Sequence, residues 1–121
     1  MKTFSFEKLE VWKDTKAFIV IIYQLTKRFP DDERFGLISQ IRRALISVSS
    51  NIAEGSSRAT SKDQAYFYNI AFSSLMEVHS QLLISIELNY IPREKEEMLR
   101  DNITMIANKI NALRAAILKK S

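Results

Sequence analysis

Helix-breaking residues are scarce in this chain, and where they fall constrains its fold more than any other feature. In 121 residues there are two glycines and two prolines, Pro30, Gly36, Gly55 and Pro92. Each lies between segments of helical apolar periodicity, and none lies within one. They divide the chain into four helical segments, roughly 6–29, 35–54, 61–89 and 93–119. No stretch alternates polar and apolar residues long enough to read as a strand. So few turn-forming residues exclude a turn-rich β-sandwich and a glycine-rich phosphate loop. The segments between helices match the roughly 2–8 residue loops that join antiparallel neighbours. The expected fold is all-α, an up-down-up-down antiparallel four-helix bundle. A chain of this length is expected to form one domain over residues 1–121.

The apolar patterns fill in that expectation. Val11, Phe18, Ile22, Leu25 and Phe29 share a face of the first helix, with Trp12, Ile19 and Tyr23 one step around. Phe18 through Tyr23 are six bulky residues in succession, so this helix is apolar nearly all round. Such a helix is buried on more than one side, which points to a subunit interface. The second helix carries Leu37, Ile41, Ala44 or Leu45, Val48 and Ile52 on one face, and Gly55 suits a left-handed position just past its end. The third opens with Ser61-Lys62-Asp63-Gln64, a capping-box pattern, and closes at Asn89, which tolerates the left-handed conformation. The fourth repeats Leu99, Ile103, Ile106, Ile110, Leu113 and Ile117 at four–three spacing, the pattern of coiled-coil-like packing. Glu94, Glu96 and Glu97 lie near its start and Arg114, Lys119 and Lys120 near its end, matching the helix dipole.

Composition removes most chemistries. There is no cysteine, hence no disulfide, thiolate metal site or thiol nucleophile. The lone histidine, His79, lies on an apolar face. Glu77, two residues away, points elsewhere, so neither a metal pair nor an oriented base is formed. A core or interface histidine is expected. Asp31-Asp32-Glu33-Arg34 reads as a solvated turn capping the second helix rather than a cation site. No cofactor, metal or small-molecule substrate is expected, and the chain is read as non-enzymatic. The start has no apolar leader, and the longest apolar run, Ala17–Tyr23, is far short of the ~20 residues of a membrane span. Cytoplasmic location with no membrane contact is expected.

Two polar groupings remain. Gln40, Arg43, Ser47, Asn51 and Glu54 fall within an arc of about 80° on the second helix, and every member is polar. An antiparallel hairpin would set Arg42 and Arg43 opposite Ser73, Ser74 and Glu77, where an arginine–carboxylate pair could form. With no nucleophile, base or metal set to complete it, the group reads as a polar network that fixes helix register. The second grouping is basic. Eighteen Lys and Arg against fourteen Asp and Glu give +4, with a pI near 9.4. Arg58 and Lys62 flank a Ser/Thr-rich turn, and with Arg114, Lys119 and Lys120 they are the candidate RNA contacts. The alternative is a protein–protein scaffold or adaptor with no nucleic-acid role, for which the charge is incidental.

Gln40-Ile41-Arg42-Arg43-Ala44, Ser47 and Asn51-Ile52-Ala53-Glu54-Gly55 closely resemble the central motif of a four-helix-bundle family. That family was first noticed as reading frames inside intervening sequences of bacterial 23S ribosomal RNA genes. The resemblance covers nearly the whole chain: Leu9-Glu10-Val11-Trp12 is similar to the family's opening, Phe67, Ala71, Ser74 and Glu77 to its third helix, and Leu88 to Ile91 to that helix's exit. Ser49 stands where proline is frequent in the family, and Asn89 where glycine is common. The resemblance implies ring-shaped homo-oligomers, often pentamers. It also implies kinship with basic accessory proteins of retroelements that associate with RNA or a reverse transcriptase. A homo-oligomer, a pentamer by this resemblance, with RNA or an RNA-handling protein as partner, is therefore expected.

Overall fold

Proline and glycine divide the chain close to where their chemistry demands. The computed structural model describes residues 1–120; Ser121, the last residue of the expected domain, lies outside them. Four long helices are present: α1 (Glu10–Thr26), α2 (Leu37–Ser56), α3 (Ser61–Glu87) and α4 (Glu96–Lys119). Short 3₁₀ turns cover Ser5–Lys8, Asp31–Glu33 and Arg93–Lys95. α1 packs on α2 and α4, α2 packs on α3, and α3 packs on α4. This is the up-down-up-down bundle that the short loops predict.

The element ends differ from the sequence reading in ways that have physical causes. The first segment is not one helix from residue 6. Leu9 is extended (φ −71°, ψ 125°) and separates the Ser5–Lys8 turn from α1. Ahead of that turn, the Phe4 N–H donates to the Glu7 carboxylate at 2.8 Å. α1 ends at Thr26 rather than Phe29, ahead of the residue before Pro30, where helical angles are disfavoured. α4 begins after a 3₁₀ turn that follows Pro92. α3 is capped one residue earlier than expected. Thr60 is the N-cap and its hydroxyl accepts from the Asp63 N–H at 3.1 Å, while the Gln64 amide turns to the Arg58 carbonyl. Asn89 adopts the expected left-handed conformation, with φ 65°.

Gly55 corrects a second expectation. It lies inside α2, and its φ is not positive. A Cβ there would come within 2.6 Å of Tyr68 Cε1, so the position needs a hydrogen because α3 passes close by. Ser49 sits in α2 without a break, and its hydroxyl bonds back to the Ile46 carbonyl at 2.8 Å.

One apolar cluster joins all four helices. Phe18 and Ile22 of α1, Ile41, Leu45 and Ile52 of α2, Tyr68, Leu75 and Leu82 of α3, and Ile106 and Ile110 of α4 form its centre. The bulky run of α1 is mostly absorbed inside the bundle. Ile19 and Ile21 pack against the core, Tyr23 lies under Arg42, and Val20 remains outside, 59% exposed. Two polar residues, Thr15 and Thr26, occupy core positions of α1, each hydroxyl bonded to the carbonyl four residues earlier at 2.7 and 2.8 Å.

Candidate functional site

The polar stripe of α2 faces α3 along a shallow groove of about 310 Å³ lined by Gln40, Arg43, Ala44, Ser47, Ser74 and Glu77. Helical spacing places these side chains on one face of α2, and the antiparallel hairpin supplies Ser74 and Glu77 from α3. Ser47 and Ser74 share a hydroxyl hydrogen bond of 2.9 Å. One α2 turn later, Asn51 Nδ2 donates to the Ser47 carbonyl at 2.8 Å and to its hydroxyl at 3.1 Å. Glu54 closes the stripe, paired with Arg58 at 3.2 Å.

The two arginines do not act together. Arg42 turns away from α3 to α1: its Nε donates to Thr26 Oγ1 at 2.9 Å and its Nη2 to the Tyr23 carbonyl at 3.2 Å. Its guanidinium lies 4.2 Å from the Tyr23 ring centroid. Arg42 thus adds a charged donor to the last turn of α1, where the dipole favours a cation; the Tyr23 carbonyl also accepts from the Lys27 N–H at 3.2 Å. The expected arginine–carboxylate pair is absent among the described residues. Arg43 is exposed, and Glu77 instead accepts from Gln81 Nε2 at 3.2 Å. Gln81 also donates to Gln40 Oε1 at 3.3 Å, which makes it the buried link between the helices. Gln81 is not among the residues that the sequence singles out for this network. A polar residue among Val78, Leu82 and Ser85 was the available signal.

The basic candidates collect at one end. Arg114 donates to Asn69 Oδ1, which sets α4 in register with α3. The last turn of α4, with Lys119 and Lys120, therefore comes level with the first turn of α3 and Lys62. These three lysines are exposed and enter none of the ion pairs found among the described residues. Arg58 lies at the same end, paired with Glu54 and 4.6 Å from the Phe67 ring centroid.

His79 is half-buried on α3. Loss of solvent and the nearby Arg100 push its imidazole below the usual histidine range, against the opposing pull of Glu96. No group of three or more His, Asp or Glu is placed to hold a metal ion among the described residues. No described helix is long and apolar enough to cross a membrane.

Comparison with known proteins adds an independent line. The chain is similar to a crystal structure of a protein of unknown function from the S23 ribosomal protein family of Bacteroides thetaiotaomicron. The two share 27% identity over 86% of this chain and 97% of the other, with a TM-score of 0.78. No curated protein matches the chain. The model of the 23S rRNA-intervening sequence proteins matches residues 7–112. That span holds the Asn51–Gly55 motif and the Gln40–Ala44 motif, whose side chains line the α2–α3 groove and bond α1. By sequence and by fold, then, the chain belongs to the 23S rRNA-intervening sequence protein family.

Proposed function

We propose that this chain is a non-enzymatic homo-oligomer that binds RNA through the basic end of its bundle. The observation that carries the reading is the Arg114–Asn69 bond, which brings Lys119 and Lys120 level with Lys62 and Arg58 at one end of a chain of net charge +4. Unpaired lysines beside a helix N-terminus are suited to phosphate contacts, which give affinity without base-specific readout. The polar groove between α2 and α3 is occupied with its own hydrogen bonds, so it serves register rather than chemistry. Assembly into a ring, with the pentamer as its expected form, would repeat the basic end several times and raise avidity for a long polyanion.

The test is a titration of a structured RNA at several salt concentrations. Binding should weaken steeply with salt, and changing Lys62, Lys119 and Lys120 to glutamine should lower the slope by about one per lost phosphate contact. Binding no tighter than that of an unrelated protein of equal charge overturns the reading. So does a slope unchanged in the triple variant. A single protein partner that stays bound after nuclease treatment favours a scaffold in its place.

A further inference from the structure

A cavity lies between α1 and the turn from α3 to α4. It holds about 560 Å³ and is lined mainly by apolar side chains, among them Val20, Ile21, Leu25, Tyr90, Ile91 and Met98. Arg28 and Lys95 stand on its rim. Neither cation enters an ion pair found among the described residues. The groove is thus an apolar slot bordered by free positive charge.

The same end of the molecule carries the complement. Phe35 is 89% exposed, far more than any other large apolar side chain away from the N-terminus. It does not line the groove of its own chain. The loop that carries it is firmly held. The Glu33 N–H donates to the Pro30 carbonyl at 2.9 Å and the Gly36 N–H to the Glu33 carbonyl at 3.0 Å. The Glu33 carboxylate accepts from the Leu37 N–H and from the Tyr90 hydroxyl, each at 3.1 Å. Gly36 makes room for this arrangement, since a Cβ there would come within 2.5 Å of Glu33 Oε1. Asp31 and Asp32 sit exposed on the same loop and enter no ion pair among the described residues. A rigid aromatic side chain loses little entropy on docking, and interface cores favour such anchors.

We propose that the groove between α1 and the α3–α4 turn is a docking site for the Asp31–Phe35 loop of a second copy of this chain. Phe35 of one copy enters the slot, and its Asp31 and Asp32 face Arg28 and Lys95 of the next. Charge complementarity selects this occupant: a loop with three acids, Asp31, Asp32 and Glu33, against one cation, Arg34, whose guanidinium lies 5.8 Å from the Phe35 ring centroid, meets a cation-rimmed apolar slot. Knob and slot are different surfaces of one protomer, so the contact is head-to-tail, and a head-to-tail contact whose rotation closes makes a ring. Tyr90 belongs to the slot wall and holds Glu33 of its own loop, which fixes knob and slot relative to each other. The inference rests on the reading of the chain as a homo-oligomer and names the residues that would hold it together.

Mass measurement by light scattering on the full chain and two variants tests it. Phe35→Ser removes the knob and Val20→Glu blocks the slot; both positions are exposed, so each variant should keep its helical circular dichroism and cooperative melting. Each alone should be a monomer. Mixed, they retain one intact knob and one intact slot, and should form a complex of twice the chain mass and no larger. Should either variant fail to fold, Lys95→Glu serves as the slot variant and Phe35→Asp as the knob variant. An unmodified chain that is itself monomeric overturns the oligomer reading and this inference with it. An unmodified chain that assembles while both variants keep its mass overturns this contact alone, as do monomeric variants that fail to pair on mixing.

Discussion

Gly55 is where a single hydrogen atom decides the packing of two helices. Its missing Cβ lets the Tyr68 ring lie against the α2 backbone, and Tyr68 is only 2% exposed, so the ring has little room to retreat. Gly55→Ala should gain about 1 kcal/mol of helix propensity and lose more to overpacking, which costs about 1–3 kcal/mol. Urea unfolding should therefore show a net loss, and Tyr68→Leu in the same chain should relieve it. Arg42 offers a second case. Arg42→Ala should cost about 1–3 kcal/mol, because it leaves groups in the last turn of α1 without their charged donor; chemical denaturation checks it. Both residues stood out in the sequence as part of a motif, but their partners did not. A glycine after a helical run fits a left-handed cap and a close approach equally well, and only the position of Tyr68 separates the two. Adjacent arginines read as a pair facing α3, yet they lie about 100° apart on a helix, which is enough to send Arg42 to α1.

Between helices, the two titrating contacts give opposite pH signatures. Lys109 of α4 bonds Asp14 at 2.6 Å and Glu10 at 2.5 Å, both on α1. These hydrogen bonds, Asp14 first, raise its ammonium above the ordinary lysine range. A raised value means the clasp contributes fully below that range and fades as pH climbs through it. Stability measured above pH ~10 should therefore fall more steeply in the unmodified chain than in Lys109→Met. His79 runs the other way. Its value is lowered by desolvation and by Arg100. The neutral imidazole is thus favoured in the fold, and stability is full above about pH 6.5 and lost as pH falls through and below it. Nuclear magnetic resonance titration of His79 should give a midpoint below that value, and His79→Gln should flatten the acid side of the stability profile. The helices themselves were legible because apolar spacing and four breakers determine them. Their ends were less so. Thr60 and Ser61 are both competent caps in adjacent positions, and the choice between them rests on Gln64 reaching the Arg58 carbonyl instead of its own helix start.

Across the whole molecule, the surface left over after folding directs function. The chain buries most of the bulky run of α1 within itself, so the two-sided apolar helix that the sequence presents is largely explained by Ile19 and Ile21 packing on the core. Among the large apolar side chains that stay outside are Val20, which lines the slot, and Phe35, on its rigid loop. Neither was separable in the sequence from its apolar neighbours, because exposure depends on tertiary packing rather than on periodicity. The basic end was legible as residue types, and antiparallel register was enough to gather Lys62 with Lys119 and Lys120. If oppositely charged rims guide the contact between copies, association should weaken as salt is raised, which sedimentation velocity at two ionic strengths would reveal. The most direct test of the account is the mass of the unmodified chain in solution by light scattering. One species at a whole multiple of 14.0 kDa, two or greater, is predicted. A well-folded particle of 14.0 kDa across the micromolar range would contradict it.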